Sequence, residues 1–247
     1  ILDVAGNGNA NYTAIADEQQ YLQYDSSIMN GTYFDEIYHA RTAYEHLHMM
    51  PYYETTHPPL GKLMMSVGVA LFGMTPFGWR FTGTLFGLLM LPIFYYFLKK
   101  FFGRTRYAVM GTLLFGFDFM HYSLTRIATI DSYPVFFILA MFCFMYQFGK
   151  HAIQYAKEGT AALRNKQHIK KLFGLLALSG FSMGLGCASK WTAIYASVGL
   201  AVAFLLIMIQ VYRTLGKKHK NAYMPFLLKI GAWCVLFFIV VPGSIYL

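Results

Sequence analysis

The chain of 247 residues is apolar and basic, with 57% hydrophobic residues, 13% charged residues and a formal net charge of +9. Ordinary soluble domains contain about 45–50% apolar and about 25% charged residues, so this composition argues against a water-soluble globular fold. The three cysteines, Cys143, Cys187 and Cys234, lie inside apolar runs and show no paired spacing. They therefore predict neither a disulfide framework nor a zinc site.

The basic residues are concentrated in three segments. Fourteen of the 20 Lys and Arg residues fall within 99–106, 150–171 and 213–220, whereas eight of the 11 acidic residues precede residue 55. Basic loops of membrane proteins lie mostly on the cytoplasmic side. We therefore expect a multi-pass integral membrane protein with these three segments in the cytoplasm, and we expect no nucleic-acid partner.

Residues 1–80 are predicted to form the first extracytoplasmic loop, with two juxtamembrane helices. Over about 33–50 the apolar residues recur every three or four positions, as in an amphipathic helix. These residues are Tyr33, Ile37, Ala40, Tyr44 and Leu47. Two prolines, Pro58 and Pro59, then interrupt the chain, and the apolar stretch at about 60–72 is too short to cross a bilayer.

Residues 81–247 contain six apolar runs, and each is predicted to be a transmembrane helix. A span must satisfy its backbone hydrogen bonds internally, which favours helices over strands for runs of this length. The runs are about 81–98, 107–124, 133–149, 172–189, 192–212 and 226–247. We therefore expect an all-α polytopic bundle, in which loop 125–132 and Lys190 lie on the same outer face as residues 1–80.

Ionisable residues gather at the outer membrane boundary, where charge is costly and tends to mark a functional site. They are Asp35, Glu36, Lys62, Arg126, Asp131 and Lys190. A carboxylate could take a proton from an acceptor hydroxyl as a general base, while cations could stabilise a departing phosphate. This combination favours sugar transfer from a lipid phosphate whose polyprenyl tail lies against the apolar bundle.

Four short motifs carry a resemblance to a known family. They are Tyr33-Phe34-Asp35-Glu36-Ile37-Tyr38-His39, His57-Pro58-Pro59-Leu60-Gly61-Lys62, Arg126-Ile127-Ala128-Thr129-Ile130-Asp131-Ser132 and Ser189-Lys190-Trp191. In this order they resemble the acidic first-loop motif, the His-Pro-Pro-Leu-x-Lys stretch, the Arg-x-x-x-x-Asp-Ser element and the Lys-Trp pair of the protein O-mannosyltransferases. That family belongs to the GT-C superfamily of integral membrane glycosyltransferases.

The resemblance implies an inverting enzyme that moves mannose from a polyprenyl or dolichyl phosphate to Ser or Thr hydroxyls of secreted or membrane proteins. The chain would then be one incomplete catalytic transmembrane domain of GT-C type. The implied catalytic residue is Asp35, with Glu36 as a second candidate. Contacts to the donor phosphate or substrate are implied for His57, Lys62, Arg126, Asp131 and Lys190.

The resemblance also implies where the site lies and what surrounds it. The site would face the extracytoplasmic side, in the plasma membrane of a bacterium or the endoplasmic reticulum of a eukaryote. Its partners would be the lipid donor, the acceptor protein, membrane lipid and a subunit of a homo- or hetero-oligomer. No metal cofactor is predicted, because His39 four residues after Asp35 is a weak signal alone. A divalent cation is the alternative.

Each candidate also has a structural interpretation. Asp35 and Glu36 could be solvated residues in a first helical turn, where the helix dipole favours carboxylates. Lys62 and Arg126 could be snorkelling side chains, and Asp131 could pair with Arg126 or cap the next helix. Two other functions remain open as well. One is a GT-C transferase that moves another sugar, such as aminoarabinose, to a lipid. The other is a secondary transporter, although transporters place charge nearer the membrane midplane.

Overall fold

The computed structural model describes residues 32–33, 35–215 and 220–246, and no β-strand occurs in these ranges. The helices are α1 Glu36–Leu47, α2 Leu60–Phe72, α3 Pro76–Phe102, α4 Thr105–Gly116, α5 Phe119–Leu124, α6 Ser132–Glu158, α7 Thr160–Arg164, α8 Lys166–Ser189, α9 Thr192–Leu215 and α10 Lys220–Val235. A π-helical turn, Leu236–Val240, joins α10 to a last helix, α11 Val241–Tyr246. This architecture confirms the predicted all-α class.

Five helical stretches are long and apolar enough to cross a membrane within the described ranges: α3, α6, α8, α9 and Tyr223–Ile245. The first of them, α3, has clear local start and stop signals. Thr75 caps it by accepting a hydrogen bond from the Gly78 N–H at 3.1 Å, and Pro76 follows at the first helical position. Gly103 ends it with a φ of 71°, a left-handed conformation that glycine adopts without strain.

The prediction of one continuous helix over 107–124 is wrong. The segment forms two helices, α4 and α5, and the helical path breaks at Phe117 and Asp118. The Asp118 side chain accepts a hydrogen bond from the His121 N–H at 3.0 Å and so caps α5. A helix cap in the middle of an apolar run satisfies the backbone locally, which a hydropathy reading of the run does not reveal.

The two short helices return the chain alongside α3. The Thr84 hydroxyl donates to the carbonyl of Thr125 at 2.9 Å, and a Cβ on Gly87 would lie 2.5 Å from the Cβ of Thr125. From Thr84 to Phe102, α3 rises about 27 Å, close to the thickness of the hydrocarbon layer. The loop after α5 therefore lies beside the first part of α3.

Helices α1 and α2 pack against the first part of α3 and the loop before α6. A buried apolar cluster joins them, with Ile37, Ala40, Met65, Val69, Trp79, Ile130 and Tyr133 among its members. Gly68 permits the closest approach, because a Cβ there would lie 2.3 Å from the Gly78 carbonyl oxygen. The position of α1 and α2 at the membrane surface stays a prediction.

A second apolar cluster holds α6, α8, α9 and α10 together. Gly180 allows α8 to meet the π-helical turn, since a Cβ there would lie 2.2 Å from the carbonyl oxygen of Phe237. A buried hydrogen bond of 2.9 Å from the Ser179 hydroxyl to the Met141 carbonyl ties α8 to α6. This part of the bundle positions the end of α8, where Lys190 lies.

Candidate active site

The four motif segments meet at one end of the bundle. Gly61 lies at their junction, because a Cβ on it would lie 3.2 Å from the Ile130 Cβ and 3.3 Å from the Ser189 carbonyl oxygen. The Ala128 N–H donates to the Glu36 carboxylate at 2.9 Å, across 92 residues of sequence. The predicted candidates therefore share one region, although the structure gives them different tasks.

Glu36 is completely buried and holds the region together. Its carboxylate accepts hydrogen bonds from Arg80 Nε at 2.6 Å and Arg80 Nη2 at 2.9 Å. It also accepts the backbone N–H groups of Tyr33 and Ala128, each at 2.9 Å. A carboxylate that is fully buried and already accepts four hydrogen bonds from the protein is not exposed to an acceptor hydroxyl. The geometry makes Glu36 a structural link.

Arg80 was not among the residues singled out from sequence. It lies in the second turn of α3, at the margin of an apolar helix, and charge in that position is itself a signal. Its partner could not be read from the sequence, because Glu36 is 44 residues away.

Asp35 has the opposite environment from its neighbour. It is partly exposed where α1 begins, and its side chain caps no backbone N–H. Among residues 32–33, 35–215 and 220–246, no cation lies within ion-pair distance of it. Asp35 is therefore a partly exposed carboxylate without a charged partner in the described residues.

Lys62 does not point freely toward a ligand. Only 1% of its side chain is exposed, and its ammonium forms an ion pair with the Glu54 carboxylate. The same nitrogen donates to the carbonyl oxygens of Glu54 at 2.8 Å and His57 at 3.2 Å. All three N–H groups are thus used inside the protein. Neither predicted role, phosphate contact or snorkelling at a helix end, agrees with this geometry.

Glu54 is a second residue that sequence reasoning missed. Its carboxylate accepts the N–H groups of Thr56 at 2.7 Å and His57 at 3.3 Å, and it also accepts the Thr56 hydroxyl. Burial by itself would raise the pKa of Glu54, but the hydrogen bonds from Lys62 and Thr56 outweigh it and lower the pKa to about 2. The carboxylate is therefore ionised at neutral pH. In the sequence, the feature that could have indicated Glu54 is a single acidic residue shortly before the His-Pro-Pro stretch.

Two histidines lie next to this ion pair. Burial lowers the pKa of His39 to about 4, and burial followed by the charge of Lys190 lowers the pKa of His57. The His39 Nδ1 lies 3.9 Å from a Glu54 oxygen, and the two imidazole centroids are 6.3 Å apart. In the described part of the chain, no group of three or more His, Cys, Asp or Glu residues has an arrangement suited to a metal ion.

Asp131 pairs with Lys190 rather than with Arg126. The Lys190 Nζ lies 2.6 Å from Asp131 Oδ1, joining the start of α6 to the end of α8. The Asp131 side chain makes no hydrogen bond to the first turn of α6. Arg126 is exposed and stacks on Tyr122, with its guanidinium carbon 3.5 Å from the ring centroid. It also donates to the Tyr122 hydroxyl.

The candidate residues differ in whether an oppositely charged side chain lies next to them. Three pairs are internally compensated, namely Glu36 with Arg80, Glu54 with Lys62 and Asp131 with Lys190. Within the part of the chain that the structure describes, Asp35 and Arg126 are the candidates without an oppositely charged partner.

Apolar spanning helices with charged residues gathered at one end define a helical integral membrane protein. Residues 73–247 match the model of a family described as dolichyl-phosphate-mannose-protein mannosyltransferase. Since this match covers more than half of the sequence, the chain belongs to that family. Family membership confirms the resemblance carried by the four motifs, and it does not favour the alternative sugar or the transporter.

Curated relatives are named polyprenol-phosphate-mannose–protein mannosyltransferase. The relative from Mycobacterium tuberculosis is 27% identical over 205 residues, which cover 74% of this chain and 37% of the relative. The relative from Mycolicibacterium smegmatis is 27% identical over 228 residues, which cover 86% of this chain and 42% of the relative. The chain thus spans about two fifths of the length of these relatives.

A solved structure shares the fold. It is the Saccharomyces cerevisiae protein O-mannosyltransferase Pmt1-Pmt2 complex bound to the sugar donor, with a TM-score of 0.70 and 18% sequence identity. The similarity covers 95% of this chain and 31% of the yeast chain. At this identity the comparison shows the shared fold alone.

Proposed function

We propose that this chain carries the catalytic end of an enzyme that transfers mannose from a polyprenyl or dolichyl phosphate to Ser or Thr hydroxyls of proteins. The observation that carries the proposal is the pairing pattern. The structure leaves one carboxylate, Asp35, and one cation, Arg126, uncompensated among the candidate residues it describes. The names of the curated relatives support the choice of mannose, polyprenyl phosphate and protein.

In the proposed step, the Asp35 carboxylate takes the proton of the acceptor hydroxyl as that oxygen attacks the anomeric carbon of mannose. The new carbon–oxygen bond forms while the bond from that carbon to the phosphate oxygen breaks. The electron pair leaves with polyprenyl phosphate, and one displacement inverts the anomeric configuration. Arg126 stabilises the negative charge that develops on the departing phosphate. No metal ion is part of this proposal.

Other polar side chains of the candidate site would surround the substrate. His57 faces the Asp131–Lys190 pair as a neutral imidazole near pH 7, because burial and the charge of Lys190 lower its pKa. A neutral imidazole can exchange hydrogen bonds with sugar hydroxyls without adding charge. Glu36 holds the loop before α6 against α1, so it sets the position of Asp35 only indirectly.

The proposal places the site on the extracytoplasmic face of the membrane. The clustering of 14 basic residues in alternate loops supports this orientation. The relatives named above come from bacteria, which favours the plasma membrane. The yeast complex of two different subunits supports an oligomer as part of the proposal.

The test is Asp35→Asn in the full-length protein, because Asn keeps the shape of Asp and cannot take up the proton. Transfer from labelled polyprenyl-phosphate mannose to a Ser/Thr peptide should fall by about 10² to 10⁴, the usual contribution of general base catalysis. Donor binding should stay close to that of the wild type.

The matched control is Asp118→Asn, which alters an exposed carboxylate at the start of α5 and leaves an oxygen that can still cap that helix. This control should keep wild-type turnover. Retention of more than about a tenth of wild-type turnover by Asp35→Asn would contradict the role of general base.

A further inference from the structure

The loop that joins α1 to α2 is held closed by a buried ion pair. Glu54 lies within this loop and Lys62 lies in the first turn of α2, and 12% and 1% of their side chains are exposed. Between them, the backbone of His57 is held on both sides. Its N–H donates to the Glu54 carboxylate at 3.3 Å, and its carbonyl accepts from the Lys62 ammonium at 3.2 Å.

We propose that Glu54 is a positioning residue of the site, which acts with Lys62 to hold the backbone of His57 in place in front of the Asp131–Lys190 pair. This inference rests on the proposed function for its link to mannose transfer. It assigns a task to a carboxylate that belongs to none of the four motifs.

The first argument is the geometry of the loop. Without the Lys62 ammonium, the Glu54 carboxylate loses its ion-pair partner. Without the Glu54 carboxylate, the buried Lys62 ammonium loses its ion-pair partner. Either change is costly, because a buried charge needs both a partner and hydrogen bonds. Since both partners bond the backbone of His57, the pair fixes the point on the chain from which the imidazole projects. The His57 Nδ1 is buried and has no hydrogen-bond partner in the described residues.

The second argument is the charge around the imidazole. His57 is faced by Glu54 from its own loop, Lys62 from α2, Asp131 from the loop before α6, Lys190 from the end of α8 and the neutral His39 from α1. The two carboxylates raise the pKa of His57, and the two ammonium groups lower it. With the charges balanced, burial decides the outcome and keeps the imidazole neutral.

Because Glu54 and Lys62 carry opposite charges, the loss of each should shift the pKa of His57 in the opposite direction. Lys62→Met leaves the Glu54 carboxylate unopposed, so the pKa of His57 should rise. Glu54→Gln leaves the Lys62 ammonium unopposed, so the pKa should fall. We expect each shift to be about one unit, typical of a single charge close to a partly buried group. The double variant should return the pKa of His57 to near its wild-type value.

The experiment titrates His57 by NMR in the full-length protein, with labelled histidine and His57→Gln to assign the signal. The pH profile of mannose transfer is recorded in parallel. Its acid limb should move to higher pH in Lys62→Met and to lower pH in Glu54→Gln. If Glu54 and Lys62 did not lie against His57, both single variants would weaken the protein without moving the pKa of His57 in opposite directions.

A matched control is Glu45→Gln. Glu45 is a buried carboxylate that holds the same loop by accepting the Tyr53 N–H at 2.8 Å and that pairs with Arg41, but it is not among the charges that face His57. This variant should lower stability and leave the pKa of His57 unchanged. A comparable shift in Glu45→Gln would overturn the inference.

The outcomes separate this inference from the proposed function, because the NMR titration needs no turnover. Opposite shifts in a protein that transfers no mannose would retain the positioning role and reject the enzyme activity. Transfer without the opposite shifts would reject the positioning role alone. If a single variant does not fold, the folded double variant decides. A pKa of His57 displaced by more than about one unit in that protein would refute the inference.

Discussion

Glu36→Gln is the change that best tests how the site is assembled. Glu36 Oε1 accepts Arg80 Nε and the Ala128 N–H, and Oε2 accepts Arg80 Nη2 and the Tyr33 N–H. A glutamine in the same rotamer keeps one oxygen for two of these donors. It places an amide NH2 group against the other two, so two hydrogen bonds and the ion pair are lost.

The cost follows from the burial of this pair. Removal of one partner of a buried ion pair destabilises a protein by about 3–5 kcal/mol. The Arg80 side chain is 23% exposed, so water can solvate part of the guanidinium once the carboxylate is gone. We therefore expect a loss of about 3 kcal/mol, at the lower end of that range. Asp35→Asn, one residue away, should stay within about 0.5 kcal/mol because Asp35 is partly exposed and has no charged partner in the described residues.

The assay is chemical unfolding of both full-length variants in detergent. The reaction of Cys143 and Cys187 with a thiol reagent reports the transition, because both thiols are buried in the folded protein. Turnover should fall in both variants, whereas stability should fall in Glu36→Gln alone. Equal stability of Glu36→Gln and Asp35→Asn would refute the assignment of Glu36 as a structural link.

Two further predictions concern the donor and the topology. Arg126→Ala should weaken binding of polyprenyl-phosphate mannose by about ten- to a hundredfold, the loss expected for a charge-assisted contact of about 1.5–3 kcal/mol. Arg126→Lys should recover part of that loss, and unchanged donor affinity in Arg126→Ala would leave Arg126 as a surface residue stacked on Tyr122. In a background without the native cysteines, Arg104→Cys and Lys166→Cys should react with an impermeant thiol reagent only from the cytoplasmic side, and Thr55→Cys only from outside. Labelling of Thr55→Cys and Arg104→Cys from the same side would remove the basis for an extracytoplasmic site.

The membrane bundle could be predicted from the sequence because its signals are local. The length of each apolar run and the alternation of basic loops depend on neighbouring residues alone. The prediction of one continuous helix over 107–124 was wrong for the same reason. The mean hydropathy of that run does not reveal that the Asp118 side chain caps a helix. A six-residue helix that begins at Phe119 leaves no mark on the average.

The candidate site was predicted in part. The motifs pointed to Asp35 and Arg126, which the structure leaves without charged partners in the region it describes, and to Asp131 and Lys190, which it pairs at 2.6 Å. The tasks of Glu36 and Lys62 could not be predicted, because a charged residue in a motif is compatible with catalysis, binding and internal pairing alike. Only the position of a partner distinguishes these roles.

The sequence by itself determined that the protein is an apolar helical bundle and that its candidate site residues fall in four separate segments, since both properties can be read along the chain. The tertiary structure decided which charges neutralise one another. That choice depends on how closely helices approach, and Gly61 and Gly68 allow approaches that a Cβ would prevent. Arg80 can then reach Glu36 across 44 residues, and Ala128 can reach it across 92. Once those contacts form, Asp35 and Arg126 are the candidates without an oppositely charged partner in the described residues.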